Sequence, residues 1–190
     1  MRLQPGSTVS ARELSSVTGA AAPVPDRDHL VHLQFRRFAG CPVCNLHLRS
    51  FVTRHAEIEA AGIREVVVFH SSAEELAEHA TGLPFAVIAD PDKKLYAEFG
   101  VEQAPRALLD PRVWPTIALA VVRALWAIAR GRERPPSIRP HGGRLGLPAD
   151  FLIAPDGRVV TRKYGEHAYD QWPVDEVLTL AARARRAVTR

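Results

Sequence analysis

The segment FRRFAGCPVCNLHLRSF (residues 35–51) contains Cys41 and Cys44, the only two cysteines of the chain. Two residues separate them, and the residues that follow have the apolar spacing of a helix. Two cysteines at this spacing can be a redox pair, part of a metal site, or two small residues of the core. The elements that flank the pair help to distinguish these possibilities.

Strand and helix patterns alternate on both sides of the pair. The upstream stretch HLVHLQFRR (residues 29–37) alternates apolar and polar residues, which predicts a half-buried strand. The later predicted strands are residues 64–70 and 85–90 and a hairpin at 150–164, and the predicted helices are residues 43–60, 71–80, 94–100 and 173–188. The order is therefore β–α–β–α–β–α, an insertion, and β–β–α. This order predicts an α/β fold with a mostly parallel sheet between helices.

The length of 190 residues suits one domain. Residues 1–28 are rich in Pro, Ser, Ala and Gly, and they predict an irregular lead-in with a short helical turn near residues 11–17. The domain then covers residues 29–190, with a helical insertion at about residues 101–147.

The composition indicates a cytoplasmic protein with neither a nucleic-acid nor a membrane partner. The N-terminus lacks the apolar segment of a secretory signal, and the apolar run at residues 113–129 is interrupted by Pro115 and Arg123. The net charge of +4 comes from scattered arginines rather than a basic stripe interleaved with aromatic residues.

The predicted position of the cysteines favours redox chemistry. A structural disulfide is rare in the cytoplasm, so the pair indicates a catalytic or metal-binding site. The positive end of the helix dipole and the unpaired backbone N–H groups there stabilise a thiolate. Arg36 and Arg37 add positive charge upstream, and Pro42 restricts the loop between the cysteines. A thiolate can then attack an oxidised substrate, and a second thiol can release the product.

Three segments, in the same order, resemble landmarks of the thioredoxin superfamily and, within it, the peroxiredoxin-like branch (alkyl hydroperoxide reductase/thiol-specific antioxidant). They are LQFRRFAGCPVC, LPFAVIADPDKKLYAEFGV and LPADFLIAPDGRVV, and the resemblance covers most of residues 30–180. It implies a thioredoxin-like fold, in which helices flank a central mixed sheet. It also implies a thiol-dependent oxidoreductase with an antioxidant or redox-homeostasis role and no cofactor.

The active loop departs from the peroxiredoxin pattern P-x-x-x-T-x-x-C. When Cys44 is aligned with the cysteine of that pattern, Cys41 stands in the Thr position and Arg37 in the Pro position. Peroxiredoxins also place an arginine three residues before the Phe of a later strand, to polarise the peroxide. Pro148 stands there in this chain, and Arg37 or Arg144 could substitute electrostatically.

A proline at position 148 resembles the cis-proline of thioredoxin-type reductases, which lies opposite the cysteines and guides the substrate. Under that resemblance Cys41 attacks, Cys44 resolves and Pro148 shapes the docking groove. The alternative is a peroxidase in which Cys44 is peroxidatic and Cys41 resolves. The implied partners are an oxidised thiol, disulfide or peroxide substrate, an external thiol reductant such as thioredoxin, and a possible second copy of the chain.

Two further hypotheses come from outside this resemblance. Cys41, Cys44 and His47 have the spacing C-x2-C-x2-H, but zinc needs a fourth ligand that the sequence does not supply, so no metal is predicted. The helix predicted at residues 113–130 is apolar nearly all round, which indicates burial by its own domain, by a second copy or around a substrate pocket. A redox-sensing or redox-inert binding module that uses this helix is the alternative from another class. Among the other histidines, His70 has the best position for a site residue because it follows a buried strand.

Overall fold

The computed structural model describes residues 2–80, 82–132, 134–135 and 142–188. The strands are β1 (Arg12–Ser15), β2 (Ala21–Val24), β3 (Leu30–Phe35), β4 (Ile63–Phe69), β5 (Ala86–Ala89), β6 (Ala149–Ile153) and β7 (Val159–Tyr164). The α-helices are α1 (Pro42–Thr53), α2 (His55–Ala60), α3 (Ala73–His79), α4 (Lys94–Glu98), α5 (Arg106–Leu109), α6 (Trp114–Ala129) and α7 (Val174–Val188), and a 3₁₀ turn covers Pro111–Val113.

A five-stranded sheet with the order β5-β4-β3-β6-β7 forms the centre of the molecule. β3, β4 and β5 are parallel, whereas β6 is antiparallel to β3 and β7 is antiparallel to β6. Helices cover the sheet, and apolar side chains fill a separate core on each of its faces. The α/β class and the mixed sheet that the resemblance implies are therefore confirmed.

The strand β3 lies at the centre of this sheet, between β4 and β6. All six of its residues are buried, so the predicted half-buried strand with one solvated face is wrong. Val31, Leu33 and Phe35 face one core, whereas His32 and Gln34 are fully buried on the other side, where Leu30 also lies. The alternation in the sequence thus separates two buried faces of different chemistry. By contrast, six of the seven residues of β4 are buried, as its continuous apolar run predicts.

The predicted helix at residues 43–60 is divided into α1 and α2. The backbone of Arg54 leaves the helical region at the junction, with φ −109° and ψ 20°. Its guanidinium donates to Glu57 at 2.7 Å and to Asp175 at the start of α7 at 2.5 Å. The junction therefore joins the end of α1 to the C-terminal helix.

The N-terminal segment is not irregular, and the predicted turn near residues 11–17 is wrong. β1 and β2 pair as an antiparallel hairpin, and Val9 and Val24 are buried in the core that also holds Phe99. The backbone N–H of Val9 donates to the carbonyl of Gly157 at 2.8 Å. Short strands such as RELS and AAPV carry too few residues for their alternation to be visible. The boundary near residue 28 stays a prediction.

The insertion places α6 across the outer side of α1. Ala120 and Ala127 are buried in this contact, whereas most of the remaining α6 side chains are exposed. The prediction that this helix is buried by its own domain thus holds for one face only. By length and composition alone, Pro111–Ala129 is the one helix of the described residues that could cross a membrane, and 22% of it is buried.

Candidate active site

The two cysteines lie at the start of α1, as the sequence predicts. Cys41 is the N-cap residue, Pro42 occupies the first helical turn and Gly40 turns the chain with φ +70°. The positive φ favours glycine here, and a Cβ would lie 2.7 Å from the His79 ring, which would have to move. Both cysteines are free thiols, and each is only 1% exposed.

The two thiols differ strongly in acidity. Burial alone would raise the pKa of Cys41, but a hydrogen bond from Cys44, the charge of Arg37 and the backbone N–H groups of Val43 and Cys44 lower it to about 6. The same hydrogen bond and burial raise the pKa of Cys44 well above its ordinary value. At neutral pH the pair therefore consists of a Cys41 thiolate and a Cys44 thiol that donates to it.

Arg37 is the cation next to this thiolate. Its side chain is buried, and Nη1 lies 3.7 Å from Cys41 Sγ. Nη2 donates to the backbone carbonyl of Arg144, which holds the guanidinium in place. The Arg144 side chain is exposed, and its guanidinium carbon lies 6.0 Å from the centre of the Phe38 ring. The structure thus brings Arg37 to the sulfur, whereas Arg144 supports Arg37 through its main chain.

Pro148 is buried directly before β6. The described residues contain one cis peptide bond, Val24–Pro25, so the bond before Pro148 is trans and the resemblance to a cis-proline does not hold. On either side of this bond the backbone is held by hydrogen bonds, since the N–H of Leu147 donates to the carbonyl of Glu102 and the Pro148 carbonyl accepts from the N–H of Gly165. Its proposed part in a docking groove stays a prediction.

A buried polar cluster lies in the centre of the sheet, on the face that α1 covers. The strand register places His32 of β3 opposite Glu65 of β4, and Gln34 opposite Asp150 of β6. His32 Nδ1 lies 2.8 Å from a Glu65 carboxylate oxygen, and Nε2 lies 3.2 Å from Asp150 Oδ1. Although burial would lower it, the two carboxylates raise the pKa of His32 to about 9. The imidazole is therefore charged at neutral pH.

Arg36 connects this cluster to the cysteine helix. Its Nη2 donates to Asp150 Oδ1 at 2.7 Å and to the side-chain carbonyl of Gln34, and it lies 3.4 Å from His47 Nε2. Arg36 and His32 hold the pKa of Asp150 far below its usual range, although burial opposes this. Burial and the charge of Arg36 lower the pKa of His47, so this histidine is neutral. His47 follows Cys44 by one helical turn, which places the cluster beneath the cysteine pair.

Comparisons with known proteins identify the family of the chain. The profile of the family described as AhpC/TSA antioxidant enzyme matches residues 50–167. That is more than half of the chain. The chain belongs to the AhpC/TSA family. A comparison with curated protein sequences finds no match.

The fold of this AhpC/TSA protein is shared with several solved structures. One is the peroxidoxin BcpB of Mycobacterium tuberculosis, with 19% identity, a TM-score of 0.67 and coverage of 96% of this chain and 98% of that one. A putative thiol:disulfide interchange protein DsbE from Chlorobium tepidum has 19% identity, a TM-score of 0.58 and coverage of 96% and 97%. A yeast mitochondrial 1-Cys peroxiredoxin, solved to explain thiol resolving via glutathione/thioredoxin systems, has 13% identity, a TM-score of 0.67 and coverage of 98% and 78%.

Membership of the AhpC/TSA family makes the chain a thiol-dependent oxidoreductase with a thioredoxin-like fold. The match begins at Ser50, six residues after Cys44. It therefore says nothing about the cysteine pair itself, whose roles depend on the local geometry.

The polar cluster of this AhpC/TSA protein was missed at the sequence level. His32, Gln34 and Arg36 alternate with apolar residues, and such a pattern is typical of a strand with a solvated face. The available signal was Glu65 and Asp150, which stand in strands made mostly of apolar residues. Carboxylates in central strands need buried partners.

The two remaining candidates from the sequence lie close to the site. His70 is buried, its ring centre is 5.7 Å from that of Tyr96, and its backbone N–H donates to the carbonyl of Arg37. His47, considered with the cysteines as a zinc ligand, lies against Arg36 instead. Within the described residues no group of three or more His, Cys, Asp or Glu side chains is arranged to hold a metal.

A cavity of about 580 Å³ opens beside the loop that precedes Cys41. Ala39 and Gly40 line one side of it, and Arg49 and Arg132 contribute positive charge. Its volume lies within the usual range of ligand pockets. It offers space for a substrate next to the cysteine loop.

Proposed function

We propose that Cys41 and Cys44 form a redox pair that reduces disulfides, with Cys41 as the attacking thiol and Cys44 as the resolving thiol. The main support for this proposal is that the two thiols differ in acidity. The pKa of Cys41 is lowered to about 6, whereas the pKa of Cys44 is raised. A thiolate is the nucleophile in disulfide exchange, and a nucleophile with a pKa near the ambient pH reacts fastest.

The cycle has two exchange steps. The Cys41 thiolate attacks one sulfur of the substrate disulfide, forms a mixed disulfide and expels the other sulfur as a thiolate, which takes a proton from water. Cys44 then loses its proton and attacks Cys41 Sγ, which releases the second substrate thiol. The substrate is reduced by two electrons, and the pair is left as a Cys41–Cys44 disulfide.

The proposed supporting roles follow from the contacts. Arg37 keeps Cys41 ionised and stabilises the thiolate that leaves again in the reverse step. An external dithiol such as thioredoxin, or a small thiol, returns the pair to the reduced state, in keeping with the AhpC/TSA family. A reducing compartment such as the cytoplasm suits this cycle, because the resting pair is then the free dithiol.

Reduction of a hydroperoxide is the second candidate, and one observation favours it. Cys41 is 1% exposed, so a small oxidant reaches the sulfur more easily than a protein disulfide does. In that reaction the Cys41 thiolate takes the distal oxygen of the peroxide to give a sulfenate and an alcohol or water. Cys44 then attacks the sulfenate, water leaves, and the same disulfide forms. The opposite assignment, with Cys44 as peroxidatic thiol, is disfavoured by its raised pKa.

To test the proposal, the reduced protein is mixed with one equivalent of oxidant, the reaction is quenched within seconds, and the intact mass of the protein is measured. With a disulfide oxidant we expect loss of two hydrogens in the wild type, a stable mixed disulfide in Cys44→Ser, and no reaction in Cys41→Ser. Rapid oxidation by hydrogen peroxide, with a sulfenate trapped in Cys44→Ser, assigns the peroxidase instead. Equal reactivity of the two single variants towards both oxidants contradicts the proposed roles.

A further inference from the structure

The helix α6 presents an apolar face to solvent. Of the eight large apolar side chains that are exposed among the described residues, seven lie between residues 109 and 126. They are Leu109, Trp114, Leu119, Val121, Val122, Leu125 and Trp126. Monomeric proteins rarely expose so many large apolar groups together, and such a patch marks a binding surface.

The opposite face of α6 is fixed on the protein. Ala120 and Ala127 are buried against α1, and Ile117 and Ala124 are half-buried beside them. With about 3.6 residues per turn, the exposed apolar residues occupy the other half of the helix circumference. The helix is thus held flat on the domain, with its apolar half outward.

The segment that carries this face is rich in arginine. Two of these arginines are paired with acidic residues from elsewhere in the chain, since Arg112 lies 3.1 Å from a Glu166 carboxylate oxygen and Arg134 lies 3.2 Å from one of Glu78. Residues 106–135 contain six arginines and two acidic residues, so this segment carries a net charge of +4, which equals that of the whole chain. The other residues of the chain are balanced between acids and bases. Arg123 and Arg130 lie at the edge of the apolar half. The partner of this surface is therefore both apolar and negatively charged.

Two tryptophans mark the ends of the face. Trp114 begins α6, and Trp126 lies in its last turn with the guanidinium carbon of Arg130 at 3.4 Å from its ring centre. Tryptophan and arginine side chains are enriched where a protein meets the boundary between lipid headgroups and acyl chains. Their positions fit a helix that lies in this boundary.

We propose that α6 docks this protein on an anionic membrane surface, with the helix axis parallel to the bilayer. A second copy of the chain fits less well. The other exposed large apolar residue among the described ones is Leu145, so no second patch is available for a head-to-tail contact. A symmetric contact between two α6 helices would bring two arginine-rich segments together.

The sequence alone argues against a membrane partner, because a free helix with Arg123 as its one charged residue lacks a polar face. In the structure this polar face is not needed, since α1 covers that side of α6. The contact with α1 also excludes a spanning orientation as long as the domain stays folded. In the proposed complex, the surface of a folded domain therefore contacts the membrane.

The docking face adjoins the cysteine loop. Pro42, which follows Cys41, and Arg123 line one crevice between α1 and α6. A docked protein consequently holds the start of α1 near the headgroups. The docking itself does not depend on the redox chemistry of the cysteines.

The experiment is co-sedimentation of the full chain with vesicles that contain about 30% phosphatidylglycerol, compared with pure phosphatidylcholine vesicles. We expect binding to the anionic vesicles to be at least about tenfold tighter, and to be lost when the salt rises from about 0.1 M to about 1 M. A blue shift of tryptophan fluorescence should accompany binding. Two of the three tryptophans lie on the face, whereas Trp172 is buried.

Variants separate the apolar from the electrostatic contribution. Val122→Glu and Leu125→Glu change side chains that are 64% and 62% exposed, so the fold should tolerate them, and each should abolish the fluorescence shift. Arg123→Glu should weaken binding by about tenfold or more. Arg183→Glu, the same charge change at an exposed position of α7, is the matched control and should bind like the wild type.

Three results would overturn the proposal. One is equal binding to neutral and anionic vesicles, and another is binding that resists both high salt and alkaline carbonate, which indicates a spanning helix. The third is a stable dimer without lipid that Val122→Glu converts to a monomer, because a second copy then covers the face.

Discussion

At the scale of single residues, the site shows how two identical side chains acquire different chemistry. Cys41 is the N-cap of α1, where backbone N–H groups and Arg37 stabilise its thiolate. Cys44 lies one turn inside the helix, and its thiol donates a hydrogen bond to the Cys41 sulfur. The sequence leaves both assignments open, since the resemblance of Pro148 to a cis-proline makes Cys41 the attacking thiol and the peroxiredoxin pattern makes it Cys44.

Replacement of Arg37 by Met should raise the pKa of the Cys41 thiol. The substitution removes the positive charge whose Nη1 lies 3.7 Å from the sulfur, while it keeps much of the side-chain volume. We expect the thiolate absorbance at 240 nm to titrate with a midpoint about one unit or more above the wild-type value near 6. At neutral pH the rate of the first exchange step should fall several-fold.

Arg144→Met is the matched control, because Arg144 holds Arg37 with its backbone carbonyl rather than with its guanidinium. Its thiolate titration should stay close to that of the wild type. A titration that moves as much in this variant as in Arg37→Met would show that Arg144 also supplies charge to the sulfur.

At the scale of secondary-structure elements, the strand β3 marks the limit of sequence reasoning. The alternation of apolar and polar residues along β3 is visible in the sequence. The partners of its polar residues, however, lie on β4 and β6, more than thirty residues away in the chain. Pairing of His32 with Glu65 and of Gln34 with Asp150 depends on strand register, which local patterns do not contain. The cysteine loop, in contrast, is local and was predicted correctly in its position at the helix start.

His32 should carry a proton at neutral pH, while His47 should not. The carboxylates of Glu65 and Asp150 raise the pKa of His32 to about 9, and burial with the charge of Arg36 lowers that of His47. Carbon–proton NMR spectra of the imidazole groups between pH 6.5 and 10 should show His32 titrating near 9 and His47 without a titration in this range. A His32 midpoint near the ordinary value of about 6.5 would contradict the charged cluster.

The same shift makes stability depend on pH. The interactions that raise the pKa of His32 stabilise the fold by at most about 3 kcal/mol. This stabilisation is complete below about pH 6.5 and is lost as the pH rises through about 9. The lowered pKa of Cys41 acts in the opposite direction over the same interval. Urea unfolding of the Cys41→Ser/Cys44→Ser double variant removes the thiol titrations. Its free energy of unfolding should fall between pH 6.5 and 9, and a constant value would contradict the linkage.

The two faces of α6 should respond differently to substitution. Ala127 is buried against α1, so Ala127→Leu overpacks this contact and should lower the free energy of unfolding by about 1–3 kcal/mol. Val122 is exposed on the same helix, and Val122→Ser should change it by less than about 0.5 kcal/mol. Urea unfolding in the absence of lipid measures both. Equal losses in the two variants would mean that the outer face is also covered.

At the scale of the whole molecule, the sequence predicts the family and the order of the elements, and it fails where a segment depends on distant contacts. The chain before β6 is one example, since the bond before Pro148 is trans and the N–H of Leu147 donates to the carbonyl of the distant Glu102. The outward face of α6 is another, because hydrophobic periodicity cannot show which half of a helix its own domain leaves uncovered. The N-terminal segment is the third, and it leads to the last prediction.

Removal of residues 1–28 should destabilise the protein strongly, although the sequence predicts a lead-in outside the domain. Residues 6–9 pair with residues 157–159, where the N–H of Val159 donates to the carbonyl of Ser7 at 2.8 Å. Deletion therefore exposes the start of the edge strand β7 as well as apolar core residues, and exposed edges promote aggregation. We expect a lower urea midpoint and larger particles in light scattering. Val24→Ala in the full chain is the milder control, with an expected loss of about 1–2 kcal/mol for a small cavity at a buried site. An unchanged midpoint in the truncated protein would restore the sequence prediction, because the domain would then fold without its first two strands.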